Sequence, residues 1–183
     1  MSTALILVDI QNDYFPNGKM ELSNPVIAAE KASQILTWFR QNNLPIFHIQ
    51  HISIHEGAGF FLPNTKGAEI NERVLPLEQE SIIIKHTPNS FFKTELESKL
   101  REHGVTKLVI CGMMTHMCID ATVRAAMELG FESTLIEDAC STRDLVYQDK
   151  VVPADQVHYA FVSALHGIYA NVVSTEGFLQ QQG

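Results

Sequence analysis

Apolar residues fall in short unbroken runs separated by stretches of helical periodicity. The first run, "ALILVD" (4–9), is continuous and closes on an acid, the pattern of a strand buried on both faces. "PIFHIQHI" (45–52), "SIIIK" (81–85), "KLVICG" (107–112), "ESTLIEDA" (132–139) and "ANVVST" (170–175) predict five more strands. Between them lie helical patterns. "NPVIAAEKASQILTWFRQNN" (24–43) has Asn24 placed as N-cap, Pro25 at the first helical position and an apolar face through Ile27, Ile35 and Phe39. "TELESKLREHG" (94–104) is a short amphipathic helix stopped by Gly104, and "MCIDATVRAAMELG" (117–130) and "PADQVHYAFVSALHG" (153–167) complete the set.

Strands alternating with helices indicate a parallel sheet with right-handed crossovers and helices on both faces. The expected fold class is therefore α/β, Rossmann-like, and the 183 residues read as a single domain, 1–183. No internal repeat or low-complexity tract interrupts it. Two connections exceed what such units need, 53–80 with "GAGFFLPNTKG" and 140–152. In an open parallel sheet ligands bind beyond the carboxyl ends of the strands, so the residues there are the first candidates for chemistry.

Composition narrows the function classes. The formal net charge of −8 comes with no basic cluster, which argues against a nucleic-acid groove or an anionic membrane surface as partner. The N-terminal apolar run lacks the basic lead and length of a signal peptide, and no segment is long enough to span a bilayer. Cys111, Cys118 and Cys140 form an odd set without zinc-ligand spacing, which suits free thiols in a reducing cytoplasm.

Three strand ends carry reactive side chains. The first ends at Asp9, the third at Lys85, and the fourth leads through "GMMTHM" to Cys118 in the first turn of a helix. Taken singly, each has an ordinary explanation: an acid capping a loop, a solvated lysine, a packed thiol. Taken together they change the picture. A thiol at a helix N-terminus feels the positive end of the dipole, a nearby ammonium favours thiolate further, and a carboxylate can accept the proton. Backbone N–H groups of the turn could bind an oxyanion. These are the parts of an acyl-transfer site.

The chain resembles the isochorismatase-like cysteine hydrolases, a family that includes nicotinamidases. The resemblance rests on "LILVDIQNDYF", "IIIKHTPNSFFKTELESKL", "LVICGMMTHMCIDATVRAAMELGF" and "IEDACST", in this order over nearly the whole length. It implies an α/β/α sandwich of three layers with a six-stranded parallel sheet. It implies Cys118 as nucleophile, Asp9 as general base and Lys85 as the cation that orients both. It further implies a cis peptide at Met113–Met114, with the amides of Met114 and Cys118 as oxyanion hole. Homo-oligomers and a small-molecule substrate are implied as well. The thiol points to amide or related C–N hydrolysis through a thioester. The alternative within the family is vinyl-ether hydrolysis, which needs no thiol. A thiol-redox or ligand-binding module is the alternative outside it.

The segment after the second strand departs from the nicotinamidases. They carry an Asp-x-His metal motif with a further histidine, whereas this chain reads "FHIQHISIHEG". His48, His51 and His55 are present without the carboxylate, and residues three apart in a strand face opposite ways. No metal or other cofactor is expected. Gln11, Tyr14 and Phe91 are candidate substrate contacts, and Phe92 is expected in the core. Phe60 and Phe61 are expected to form a lid or a subunit contact. Thr115 and His116 are expected to hold the nucleophile turn by hydrogen bonds. Cys111 is expected to be an inert core thiol, and Cys140 to lie after the fifth strand near the mouth.

Overall fold

The structure is a computed structural model and describes residues 2–182. Its strands are β1 (Ser2–Val8), β2 (Ile46–His51), β3 (Ser81–Lys85), β4 (Val105–Met113), β5 (Glu132–Ser141), β6 (Leu145–Tyr147), β7 (Lys150–Val152) and β8 (Asn171–Val173). Its helices are α1 (Pro25–Gln41), α2 (Leu96–Glu102), α3 (Asp120–Glu128), α4 (Ala154–Leu165) and α5 (Thr175–Gln182). Six strands pair in parallel in the order β3-β2-β1-β4-β5-β8. α1 and α5 pack together over one face, and α2, α3 and α4 cover the other. This is the three-layer sandwich that the alternating pattern predicts. No helix among the described residues is long and apolar enough to cross a membrane.

Burial explains the sequence pattern. β1 and β4 lie at the centre of the sheet, so both their faces meet helices and their runs are apolar without alternation. β3 is an outer strand and alternates: Ile83 and Lys85 point inward, Ile82 and Ile84 outward. In α1, Ile35, Leu36 and Phe39 are buried, but Ile27 is 56% exposed and so lies off the expected apolar face. At about 100° per residue it sits roughly 120° around the helix from Phe39. Asn24 occupies the cap position in a left-handed conformation without a side-chain cap bond.

Four elements extend beyond the sequence reading. β5 runs on to Ser141, because a register shift between the Ile110–Leu135 and Gly112–Cys140 pairs lets it continue beside β4. The second long connection folds into the β6–β7 hairpin, and a final helix, α5, follows β8.

Two local devices bring the site together. β1 and β4 approach closely at Val8 and Gly112: a Cβ on Gly112 would lie 2.0 Å from the Val8 carbonyl oxygen, and its φ is +131°. Only glycine fits there, directly beside Asp9. The long connection 52–80 is fastened to the segment after β1. Asn12 and Asn71 amides bond Glu69 and Ile10 carbonyls, and Asp13 accepts the Phe61 amide at 2.6 Å. The rings of Phe60 and Phe61 pack against Tyr14, with Phe61 fully buried and Phe60 partly so.

Candidate active site

Asp9, Lys85 and Cys118 come together at the carboxyl edge of the sheet. This is the topological switch point: β1 is followed by β2 on one side, and β4 lies on the other. Asp9 leaves β1 in a left-handed conformation, φ 49°, one that aspartate tolerates better than most residues. Lys85 ends β3 on its inward face. Cys118 lies in a π-helical turn, Thr115–Ile119, that runs into α3, and the Met113–Met114 peptide before it is cis. The Met114 carbonyl accepts from the Met117 and Ile119 amides. Thr115 bonds the Ser141 carbonyl and His158, and His116 bonds Thr142, which ties the turn to the end of β5.

The Lys85 ammonium is the hub. Its Nζ lies 2.7 Å from Asp9 Oδ2, 3.0 Å from the Thr87 carbonyl, 3.1 Å from His51 Nδ1 and 3.2 Å from Cys118 Sγ. Asp9 and Lys85 side chains are fully buried. Burial alone would lower the lysine's pKa, but Asp9 and then Cys118 more than offset it, and the net shift is upward. Cys118 goes the other way from the expected thiolate. Burial first and Asp9 second push its thiol up, and Lys85 only partly opposes them. The resting pair is therefore a thiol beside a carboxylate–ammonium ion pair.

His51 is the member that sequence reasoning placed only among metal candidates. It ends β2 in direct register with Lys85. Burial and Lys85 lower its pKa to about 4, against an opposing pull from Asp9. Ligand atoms of Asp9, His51 and Cys118 lie within 4.8 Å of one another, but the Lys85 ammonium already stands within 3.2 Å of an atom of each. The cation these groups surround is the protein's own. His48 is committed elsewhere, to Glu80 at 2.8 Å, and His55 is exposed.

The remaining candidates separate. Gln11 is fully buried and spends its amide on the backbone of His51, in both directions, and on the Ala68 carbonyl; it braces the strand end instead of lining a mouth. Tyr14 stays near the chemistry. Its phenol is pushed well up by burial, then by Cys118 and Asp9. Phe91 follows Ser90, which is bonded to Thr122 in the first turn of α3, and stacks on Phe131, the residue before β5. Phe92, expected in the core, is 50% exposed with Lys93 over its ring, because the turn that packs Phe91 partly against the core sends its neighbour outward. Cys111 is fully buried, its thiol pushed well up by burial. Cys140 lies within β5 and donates to the Ile136 carbonyl, and burial pushes its thiol to about 12. It lines a cavity of about 230 Å³ with His158 and Ser141, beside the turn that carries Cys118; Asp9, Lys85 and Cys118 do not line it.

A buried Asp–Lys–Cys cluster at the switch point of a parallel sheet defines a hydrolase of the cysteine type. The family profile described as Isochorismatase domain matches residues 3–176. The chain is 58% identical over 180 residues to the isochorismatase-family protein YddQ of Bacillus subtilis, covering 98% of this chain and 100% of that one. It is 32% identical to the secreted isochorismatase effector Isc1 of Verticillium dahliae, over 95% of this chain and 88% of that one. A crystal structure from Oleispira antarctica, assigned to the isochorismatase hydrolases, superposes with a TM-score of 0.94 at 46% identity, covering 98% and 96% of the two chains. The chain belongs to the isochorismatase family.

Proposed function

We propose that the enzyme hydrolyses a small-molecule carboxamide or related C–N bond through a thioester on Cys118. The observation that carries this reading is the Lys85 ammonium, held 2.7 Å from Asp9 and 3.2 Å from Cys118 in a buried cluster. Asp9 Oδ2 faces the Lys85 ammonium at 2.7 Å, and Oδ1 has no hydrogen-bond partner among the described residues, which leaves the carboxylate able to take the thiol proton. Sulfur then attacks the carbonyl carbon, and the oxyanion forms against the amides of Met114 and Cys118. The amine leaves with the proton from Asp9. Water adds to the thioester after giving a proton to Asp9, and the acid leaves as the thiol is restored.

Intact-protein mass spectrometry after acid quench, on a panel of small carboxamides scored by ammonia release, tests the mechanism. The expected adduct equals substrate minus leaving group on Cys118 and is absent from Cys118→Ala. Turnover that persists in Cys118→Ala overturns the thioester and favours vinyl-ether chemistry, which proceeds by protonation and water addition.

We also infer that copies associate, as the family resemblance implies. Ile82 and Ile84, 43% and 54% exposed on the outer strand β3, are the candidate face. A monomer by sedimentation at micromolar concentration removes that role. The three free cysteines support a cytoplasmic location, which cell fractionation tests.

A further inference from the structure

The Lys85 ammonium has three hydrogens and no acceptor capacity. Four acceptors stand around it: Asp9 Oδ2, the Thr87 carbonyl, His51 Nδ1 and Cys118 Sγ, at 2.7, 3.0, 3.1 and 3.2 Å. One acceptor must share. The carboxylate carries full charge and the carbonyl is fixed by backbone, so the contest lies between the two longest contacts, the imidazole and the sulfur.

The imidazole is built to stay in that contest. His51 and Lys85 are register partners at the ends of neighbouring strands, which sets their side chains side by side. Gln11 grips the His51 backbone at both its amide (2.8 Å) and its carbonyl (2.9 Å), so the ring is carried by a clamped main chain. Phe61 packs near the ring. Facing an ammonium, Nδ1 can only accept, so the ring is neutral with its hydrogen on Nε2. The depressed pKa, caused by burial and Lys85, agrees with this; His86 and His55 push the same way, and Asp9 opposes.

We propose that His51 is a positioning residue for the nucleophile: its Nδ1 competes with Cys118 Sγ for a hydrogen of the Lys85 ammonium and so keeps the resting thiol protonated. The proposal deepens the thioester reading, but it concerns the free enzyme and is tested without a substrate. The test compares His51→Leu with His51→Asn. These side chains have nearly the same shape, and only asparagine offers an acceptor near the Nδ1 position. The probe is iodoacetamide at pH 7.5, with Cys118 modification read by peptide mass and thermal melting run as the folding control.

Without the competitor the third hydrogen goes wholly to sulfur, and the thiolate becomes easier to form. A thiol pKa lower by about one unit raises the thiolate fraction about tenfold; allowing for the weaker nucleophile, alkylation rises about three- to fivefold. His51→Leu should show that rise, and His51→Asn should react at the wild-type rate. In ¹⁵N-histidine spectra of the wild type, His51 should show the Nε2–H tautomer. A purely structural role predicts slower or unchanged alkylation in His51→Leu. That result, equal rates in the two variants, or an Nδ1–H tautomer overturns the proposal. If the carboxamide screen fails while these results hold, only the reaction is in error.

Discussion

Cys118 stands where a helix start and an ammonium both favour thiolate, and it is still a thiol at rest. Desolvation outweighs both because Cys118 is 4% exposed and has a carboxylate as close neighbour. Lys85 is the one neighbour pulling the other way, so Lys85→Met should slow alkylation of Cys118 by about an order of magnitude at pH 8. The same change strips the partner from a fully buried carboxylate, which costs about 3–5 kcal/mol of stability. Adding Asp9→Asn removes the stranded charge and should recover part of that loss. Urea unfolding of the single and double variants measures it. A double variant no more stable than Lys85→Met would show that the pair is not coupled in the folded protein.

At the scale of elements, most of the frame was legible because buried parallel strands write themselves as apolar runs. β1, β2, β3, β4 and the helices between them follow from that periodicity, and with them the placing of Asp9 and Lys85 at one edge. What escaped depends on pairing rather than pattern. His51 belongs to the cluster because β2 and β3 align it with Lys85, and register between separate strands is not written in either strand alone. The signal was present, a histidine closing a strand as the lysine closes the next. The β6–β7 hairpin turns at Gln148 with φ 56°, without the glycine that usually marks such a turn. Phe92 departs from the expected core position because a turn ending at Lys93, φ 55°, sets the direction of two adjacent rings and leaves no periodic mark in the sequence. Gln11 was read as a pocket residue because it follows Asp9 so closely. Its role became visible only when the connection 52–80 folded back over it.

The molecule as a whole should lose stability on acidification in two stages. His48, His51, His116 and His158 all have pKa values lowered in the folded state, chiefly by burial. Glu80 opposes this at His48 and Glu137 at His158, without reversing it. Below pH ~6.5 the unfolded chain binds protons that these buried rings refuse, so stability falls as pH falls. For His51, whose folded pKa is about 4 and whose side chain is 15% exposed, the loss between pH ~6.5 and ~4 is on the order of 3 kcal/mol. Glu80 adds the second stage. Burial pushes its carboxyl up, but bonds from Arg40, the Leu77 amide and His48 outweigh this and hold it at about 2. A depressed carboxyl stabilises the fold above its unfolded value and loses that contribution as pH drops from ~4.5 toward ~2. These bonds join α1, β2 and the approach to β3, so their loss loosens one whole edge of the sheet. Melting temperature measured from pH 8 to pH 3 should fall by roughly 5–10 °C between pH ~7 and ~4.5, and then more steeply. Glu80→Gln should be less stable than wild type at pH 7 and should lack the second stage. A melting temperature that stays level from pH 8 to pH 4.5 would mean that the buried rings take up protons without opposing the fold.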